Sequence, residues 1–113
     1  MQTQIENLLE NIKTDYINWS TSNGTKEISS YTQGVLDAFD DNVEVKHGKK
    51  YIKIVGGVSS GVWGFIVATD DHPKFKKGDI LKAAGYNAPA TNAARGNVFE
   101  DYIIRWTGPL YLV

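Results

Sequence analysis

The apolar residues of this chain change their period once, and that change constrains the fold more than any other feature. Ile5, Leu8, Leu9, Ile12, Tyr16 and Trp19 recur at helical spacing and form a single stripe. From Val43 the period is two, as in strands that bury one face: Val43 and Val45, a His47-Gly48 turn, then Tyr51, Ile52, Ile54 and Val55. A chain that starts with helical spacing and ends with strand spacing is expected to be α+β, with the helices packed on the sheet.

The helical part divides in two. Thr3 and Glu6 have the spacing of a capping box, and Ser20-Thr21-Ser22-Asn23-Gly24 is a run of turn-formers that ends the first helix. Ile28, Tyr31, Val35, Leu36 and Phe39 share a second helical face, with Thr25 in N-cap position. Asp40 and Asp41 place negative charge where a helix C-terminus disfavours it, so this helix is expected to stop near Phe39.

The β part is expected to hold five or six strands in a twisted, mostly antiparallel sheet or a partly open barrel. After the hairpin come a glycine-rich loop (residues 56–61) and the β-branched, aromatic stretch VWGFIVAT (residues 62–69). Within it Gly64 marks a bulge or a close backbone approach. Asp70-Asp71-His72-Pro73 reads as a turn and ILKAA (residues 80–84) as a short strand. Tyr102 to Thr107 reads as a strand, Gly108-Pro109 as a turn, and Leu110 to Val113 as a terminal strand. The expected core is Leu8, Leu9, Ile12, Trp19, Val35, Leu36, Phe39, Ile52, Ile54, Trp63, Phe65, Val67, Ile80, Ile104 and Leu112.

A length of 113 residues suits one domain, 1–113, with an acidic helical part (1–41) and a basic β-rich part (42–113). Residues 1–45 hold two lysines against eight acids, a net of −6, and residues 46–113 hold ten Lys and Arg against five acids, a net of +5. The acidic helices can lie on the basic sheet and partly neutralise it, or the basic half can meet an anionic partner. A small sheet with edges to cover also invites a homo-oligomer. The chain has no cysteine, which removes disulfides, thiolate metal sites and thiol nucleophiles together. The first residues lack the basic start and unbroken apolar run of a secretory signal, and no apolar run approaches the ~20 residues of a membrane helix. The expectation is a cytoplasmic, soluble protein with no membrane partner.

Catalytic and metal chemistry find little support. Residues 56–61 contain the glycines of a phosphate cradle, but Val62 follows where a P-loop has lysine, and a strand follows where it has a helix. Asp70, Asp71 and His72 are adjacent, which rarely lets three ligands converge on one ion. Ser59 and Ser60 with His47 or His72 carry no nucleophile signature, and Glu100 and Asp101, as strand neighbours, point to opposite faces. No cofactor is implied and a non-enzymatic role is expected.

The segment from residue 82 to 97 carries the binding expectation. It is long, rich in small residues, and contains Lys82, Tyr86, Asn92, Arg95 and Asn97. Arg95 offers a forked cation for phosphate or carboxylate, Tyr86 a stacking face, and the asparagines both donors and acceptors. In the alternative, the loop is held by its own side chains, with Arg95 paired to Glu100 or Asp101. A nucleic-acid surface is the second expectation, because the basic half interleaves cations with aromatics at Lys50-Tyr51, Lys74-Phe75-Lys76, Lys82 with Tyr86, and Arg105-Trp106. The net charge is not basic, however, and no RNA-binding motif appears.

The strings KYIKIV, VWGFIV, GDILKAAGYNAPATNAARGNVF and IRWTGPLYL, spanning roughly residues 50–112, resemble short accessory proteins of tailed bacteriophages, marine and T4-like phages among them. The resemblance leaves out the helices and carries no catalytic residues. It implies a phage or prophage origin and a role during infection in the host cytoplasm. The partner would be a host protein or a small anionic, nucleotide-like ligand that is sequestered, with a structural virion component as a further reading.

Overall fold

The computed structural model describes residues 1–109, so the expected strand over 110–113 and the expected core residue Leu112 lie outside the described residues. The element order is α1 (Gln2–Ser20), α2 (Ser30–Asn42), β1 (Glu44–His47), β2 (Tyr51–Val55), β3 (Val62–Val67), β4 (Ile80–Leu81), β5 (Ile104–Arg105) and β6 (Gly108–Pro109). Strands β1 to β4 form one antiparallel sheet in sequence order, and β5 pairs with β6 in a separate two-stranded sheet. The architecture is α+β, but among the described residues the strands divide four and two between two sheets, and no closed barrel forms.

Helix α1 begins two residues before the expected capping box. Met1 is the cap, Thr3 and Glu6 lie inside the helix, and Gln2 donates to Glu6. Its stripe works as spaced: Ile5, Leu8, Ile12 and Tyr16 are buried. The N-cap of α2 is Ser29, whose hydroxyl accepts from the Thr32 N–H at 3.1 Å. Thr25 is used elsewhere, donating to the Ser22 carbonyl in the turn after α1. Helix α2 also runs past Phe39 to Asn42. The Lys13 ammonium, 2.9 Å from Asp40, offsets the carboxylate that would otherwise disfavour this extension.

The sheet is covered on both sides. Cross-strand pairing puts Ile52 opposite Ile66 and Ile66 opposite Ile80, and these join Ile5, Leu8, Ile12 and Phe39 in one core cluster. On the other face Phe65 lies opposite Leu81, and these pack with Val67 and Phe75 against Tyr51, Ala83 and Ala94. Strand β3 is therefore buried along nearly its whole length. Each fully buried Leu, Ile or Phe contributes about 1.5–3 kcal/mol, so the two clusters together dominate the stability.

Three details differ from the sequence reading, and the Gly64 expectation holds. Trp19 is 65% exposed, and Leu9, Val35 and Leu36 are only partly buried. Ile28 precedes α2 and Tyr31 faces solvent, so neither belongs to the helix's buried side. The turn near the C-terminus is Trp106-Thr107, and Gly108-Pro109 is strand, paired back onto Ile104-Arg105. Gly64 is a close approach: a Cβ there would lie 2.9 Å from the Leu81 carbonyl oxygen and 3.0 Å from the Pro109 ring. The register irregularity falls opposite it, at Ile54/Val55. The glycine-rich segment is a hairpin loop between β2 and β3, closed by the Gly56 N–H to the Gly61 carbonyl at 3.0 Å. No helix among the described residues is long and apolar enough to cross a membrane.

Candidate functional site

The 82–97 segment is more ordered than a loop. Its tip folds back on itself: Ala84 and Gly85 donate to the Ala88 carbonyl, Ala90 donates to the Lys82 carbonyl, and Ala83 bridges Pro89. Its return limb pairs along β4, with Ile80 N–H to Gly96 O at 2.8 Å and Arg95 N–H to Ile80 O at 2.7 Å. The segment thus hydrogen-bonds along the edge of β4, with Tyr86 and Asn87 at its exposed tip.

The five expected contact residues fall into four places. Asn92 and Arg95 come together, the guanidinium donating to Asn92 Oδ1 at 3.1 Å and to the Ala93 carbonyl at 3.2 Å. Lys74 fastens the same corner through the Asn92 carbonyl at 3.0 Å. Of the two acids expected as partners for Arg95, Glu100 pairs with Lys76 at 2.7 Å. Glu100 raises the Lys76 pKa above its ordinary value, by hydrogen bonding first and by charge second. Lys82 is partly buried immediately after β4, and its carbonyl holds the loop tip.

Asn97 is a correction. It is 3% exposed, and its amide donates to the Lys77 carbonyl and to Asp79 Oδ1, both at 3.0 Å, while accepting from the Phe99 N–H at 2.8 Å. A buried amide with its polar atoms engaged in this way orders the 77–99 crossover and presents nothing to solvent.

Tyr86 leads to the concave site. The Lys53 ammonium lies over its ring and bonds its carbonyl, and Asn87 Oδ1 accepts from the same ammonium at 3.3 Å. This joins the loop tip to a groove of about 470 Å³ under the β1–β2 hairpin, lined by Lys46, His47, Gly48, Lys49, Lys50, Tyr51, Lys53, Phe65 and Asn87. Lys82, Tyr86, Asn92 and Arg95 are not among its lining residues.

The hairpin register produces this groove. Lys46 stands directly opposite Lys53, so two ammonium groups share one face. Like charges in that position disfavour the sheet. Each has partial relief nearby, Lys46 from Glu44 at 3.6 Å and Lys53 from the Tyr86 tip. Lys49 and Lys50 at the turn have no ion pair among the described residues, and no carboxylate lines the groove. Tyr51 is fixed from below: its hydroxyl is 2.9 Å from His72 Nε2, and its ring packs edge-on against Phe65. Such a cationic groove with aromatic walls can hold an anion bearing a planar group.

The sequence singles out the 82–97 loop, and of the hairpin lysines only Lys50, beside Tyr51, enters its expectations. The signal for the groove was present in four lysines within eight residues around Gly48, where period-two pairing puts 46 and 53 together. Among the described residues no group of three His, Asp or Glu could share a metal ion. No protein-family model, curated protein or solved structure matches the chain.

Proposed function

We propose that this chain is a non-enzymatic binding protein that holds a small anionic, nucleotide-like ligand in the groove beneath the β1–β2 hairpin. The observation that carries the reading is the facing pair Lys46 and Lys53, in a groove with Lys49, Lys50 and Tyr51 and no acid in its lining. Placing two lysines opposite each other costs stability, and an anion between them reverses the sign of that interaction. Tyr51 supplies a ring for a base. The groove's lining holds no carboxylate to pair with His47 as acid and base.

Calorimetric titration with nucleoside mono-, di- and triphosphates tests this directly. The expected result is saturable binding that weakens with added salt, and that drops on the order of tenfold in the Lys49→Ala/Lys50→Ala variant at unchanged melting temperature. Absence of binding by every nucleotide at low salt would overturn it. A second reading, single-stranded nucleic acid, draws on Lys49 and Lys50 lying at the hairpin turn, where a backbone could continue past the groove. Affinity that grows with oligonucleotide length and falls steeply with salt would favour that reading.

A further inference from the structure

A second groove, of about 650 Å³, lies between the C-terminal end of α1 and the β5–β6 hairpin, and shares no residue with the lysine groove. Its wall is aromatic. Trp19 is 65% exposed, a large apolar surface for a residue at the end of a core-facing stripe. It is not loose: its ring is 5.1 Å from Trp106 and 6.1 Å from Tyr16, and Tyr16 meets Trp106 edge-on at 5.1 Å. The backbone beneath is also pinned. The Trp106 N–H donates to Asp15 Oδ2 at 2.8 Å, and the Trp63 indole N–H donates to the Arg105 carbonyl at 2.9 Å.

The rim is polar and planar. Ser22 and Asn23 take left-handed backbone angles, φ 51° and 58°, which residues other than glycine adopt at a cost. The Asn18 and Asn23 amides make no side-chain hydrogen bond among the described residues, although each offers both a donor and an acceptor. Asp15 and Arg105 contribute one charge of each sign, so the lining is neutral overall.

We infer that this groove is a binding site for a neutral carbohydrate. A pyranose ring places its C–H face on an indole while its hydroxyls exchange hydrogen bonds with amides at the rim, and a neutral lining selects no net charge. The competing chemistries fit less well. A quaternary ammonium needs space between rings, and rings with centroids 5.1 Å apart are already in contact. A phosphate would find one cation, Arg105, balanced by Asp15.

The test is an NMR titration of the full chain with neutral disaccharides of glucose, mannose, galactose and N-acetylglucosamine at millimolar concentration. The expected result is movement of the Trp19 and Trp106 indole N–H signals with at least one sugar. Trp19→Ala should weaken binding about tenfold, and Lys49→Ala/Lys50→Ala should leave it unchanged. Indole signals that ignore every sugar, or a response that survives Trp19→Ala, would overturn the inference. So would a response confined to nucleosides, which would assign the ring to base stacking.

Discussion

The Lys53 ammonium lies 3.9 Å from the centre of the Tyr86 ring and 3.0 Å from the Tyr86 carbonyl oxygen, joining the second strand of the sheet to a loop tip 33 residues away. Partly exposed contacts of this kind are worth about 0.5–1 kcal/mol. Lys53→Ala should therefore cost little global stability, about 1 kcal/mol in a denaturant melt. Its larger effect should be local, as faster amide exchange at Ala84 and Gly85, whose N–H groups are held inside the tip. Unchanged exchange at those amides would mean that the tip holds itself without Lys53.

The contrast between Tyr86 and Asn97 shows how far the sequence could be read. Both lie in a polar segment of small residues, and composition alone gives both the look of a contact residue. The structure exposes Tyr86 to 53% and buries Asn97 to 3%, because the limb carrying Asn97 pairs with the 78–80 backbone while Tyr86 caps the turn. That pairing lies between residues nearly twenty apart and leaves no periodic mark. The stripe of α1 and the β1–β2 hairpin were legible because their pattern is local. Trp19 departs from the expected core because helical spacing gives a direction without saying where the neighbouring layer ends: Tyr16 and Trp106 meet its ring, which stays 65% exposed. The lysine groove needed the register as well as the count.

Asn97 and Asp79 form a buried pair, with the amide 3.0 Å from one carboxylate oxygen while the other accepts from the Lys76 N–H at 3.1 Å. Removing one partner leaves the other desolvated and unsatisfied, at about 1–3 kcal/mol. Asn97→Ala should destabilise the fold by that amount in chemical denaturation. Asn97→Asp should do at least as much harm, since it sets a second carboxylate against Asp79 and removes the donor. A variant that melts with the parent would show that the crossover is held without this amide.

Gly64 sits where β3 passes the Leu81 carbonyl and the Pro109 ring. A methyl group there would meet backbone on one side and a rigid ring on the other, so Gly64→Ala should cost about 1–3 kcal/mol, typical of overpacking. The strain should fall on the β5–β6 sheet, and the Trp63 indole N–H, bonded to the Arg105 carbonyl, should report it by NMR. An alanine variant of parental stability and unmoved Trp63 signal would contradict the close approach.

Lys13 ties the helices together: it pairs with Asp40 at 2.9 Å and Glu10 at 3.1 Å, and lies over the Phe39 ring. Its pKa is raised above 10.5, chiefly by the hydrogen bond to Asp40 and against the opposing effect of burial. A cation whose folded pKa is raised contributes stability that is fully present below its unfolded pKa and is lost as pH rises through the folded one. The parent should therefore be more stable than Lys13→Met by about 1 kcal/mol at neutral pH, with the gap closing only above pH 10.5. Parallel melts of both proteins across that range cancel the tyrosine titrations they share. A gap that closed at lower pH, or none at neutral pH, would remove Lys13 as the tie.

His72 has its proton position dictated by its surroundings. Its Nδ1 accepts the N–H groups of Lys74 and Phe75, at 3.0 and 3.1 Å, and so carries no hydrogen. In the neutral ring the proton is then on Nε2, which donates to the Tyr51 hydroxyl 2.9 Å away. The imidazole thereby fixes the 72–75 turn and, through Tyr51, one wall of the lysine groove. Nitrogen-15 NMR should find the Nε2–H tautomer, with Nδ1 bare. His72→Ala should leave two backbone donors without their acceptor, cost about 1–2 kcal/mol, and shift the Tyr51 ring signals. An Nδ1–H tautomer would break the chain of contacts at its first link, because two N–H donors cannot be bonded to a nitrogen that bears its own.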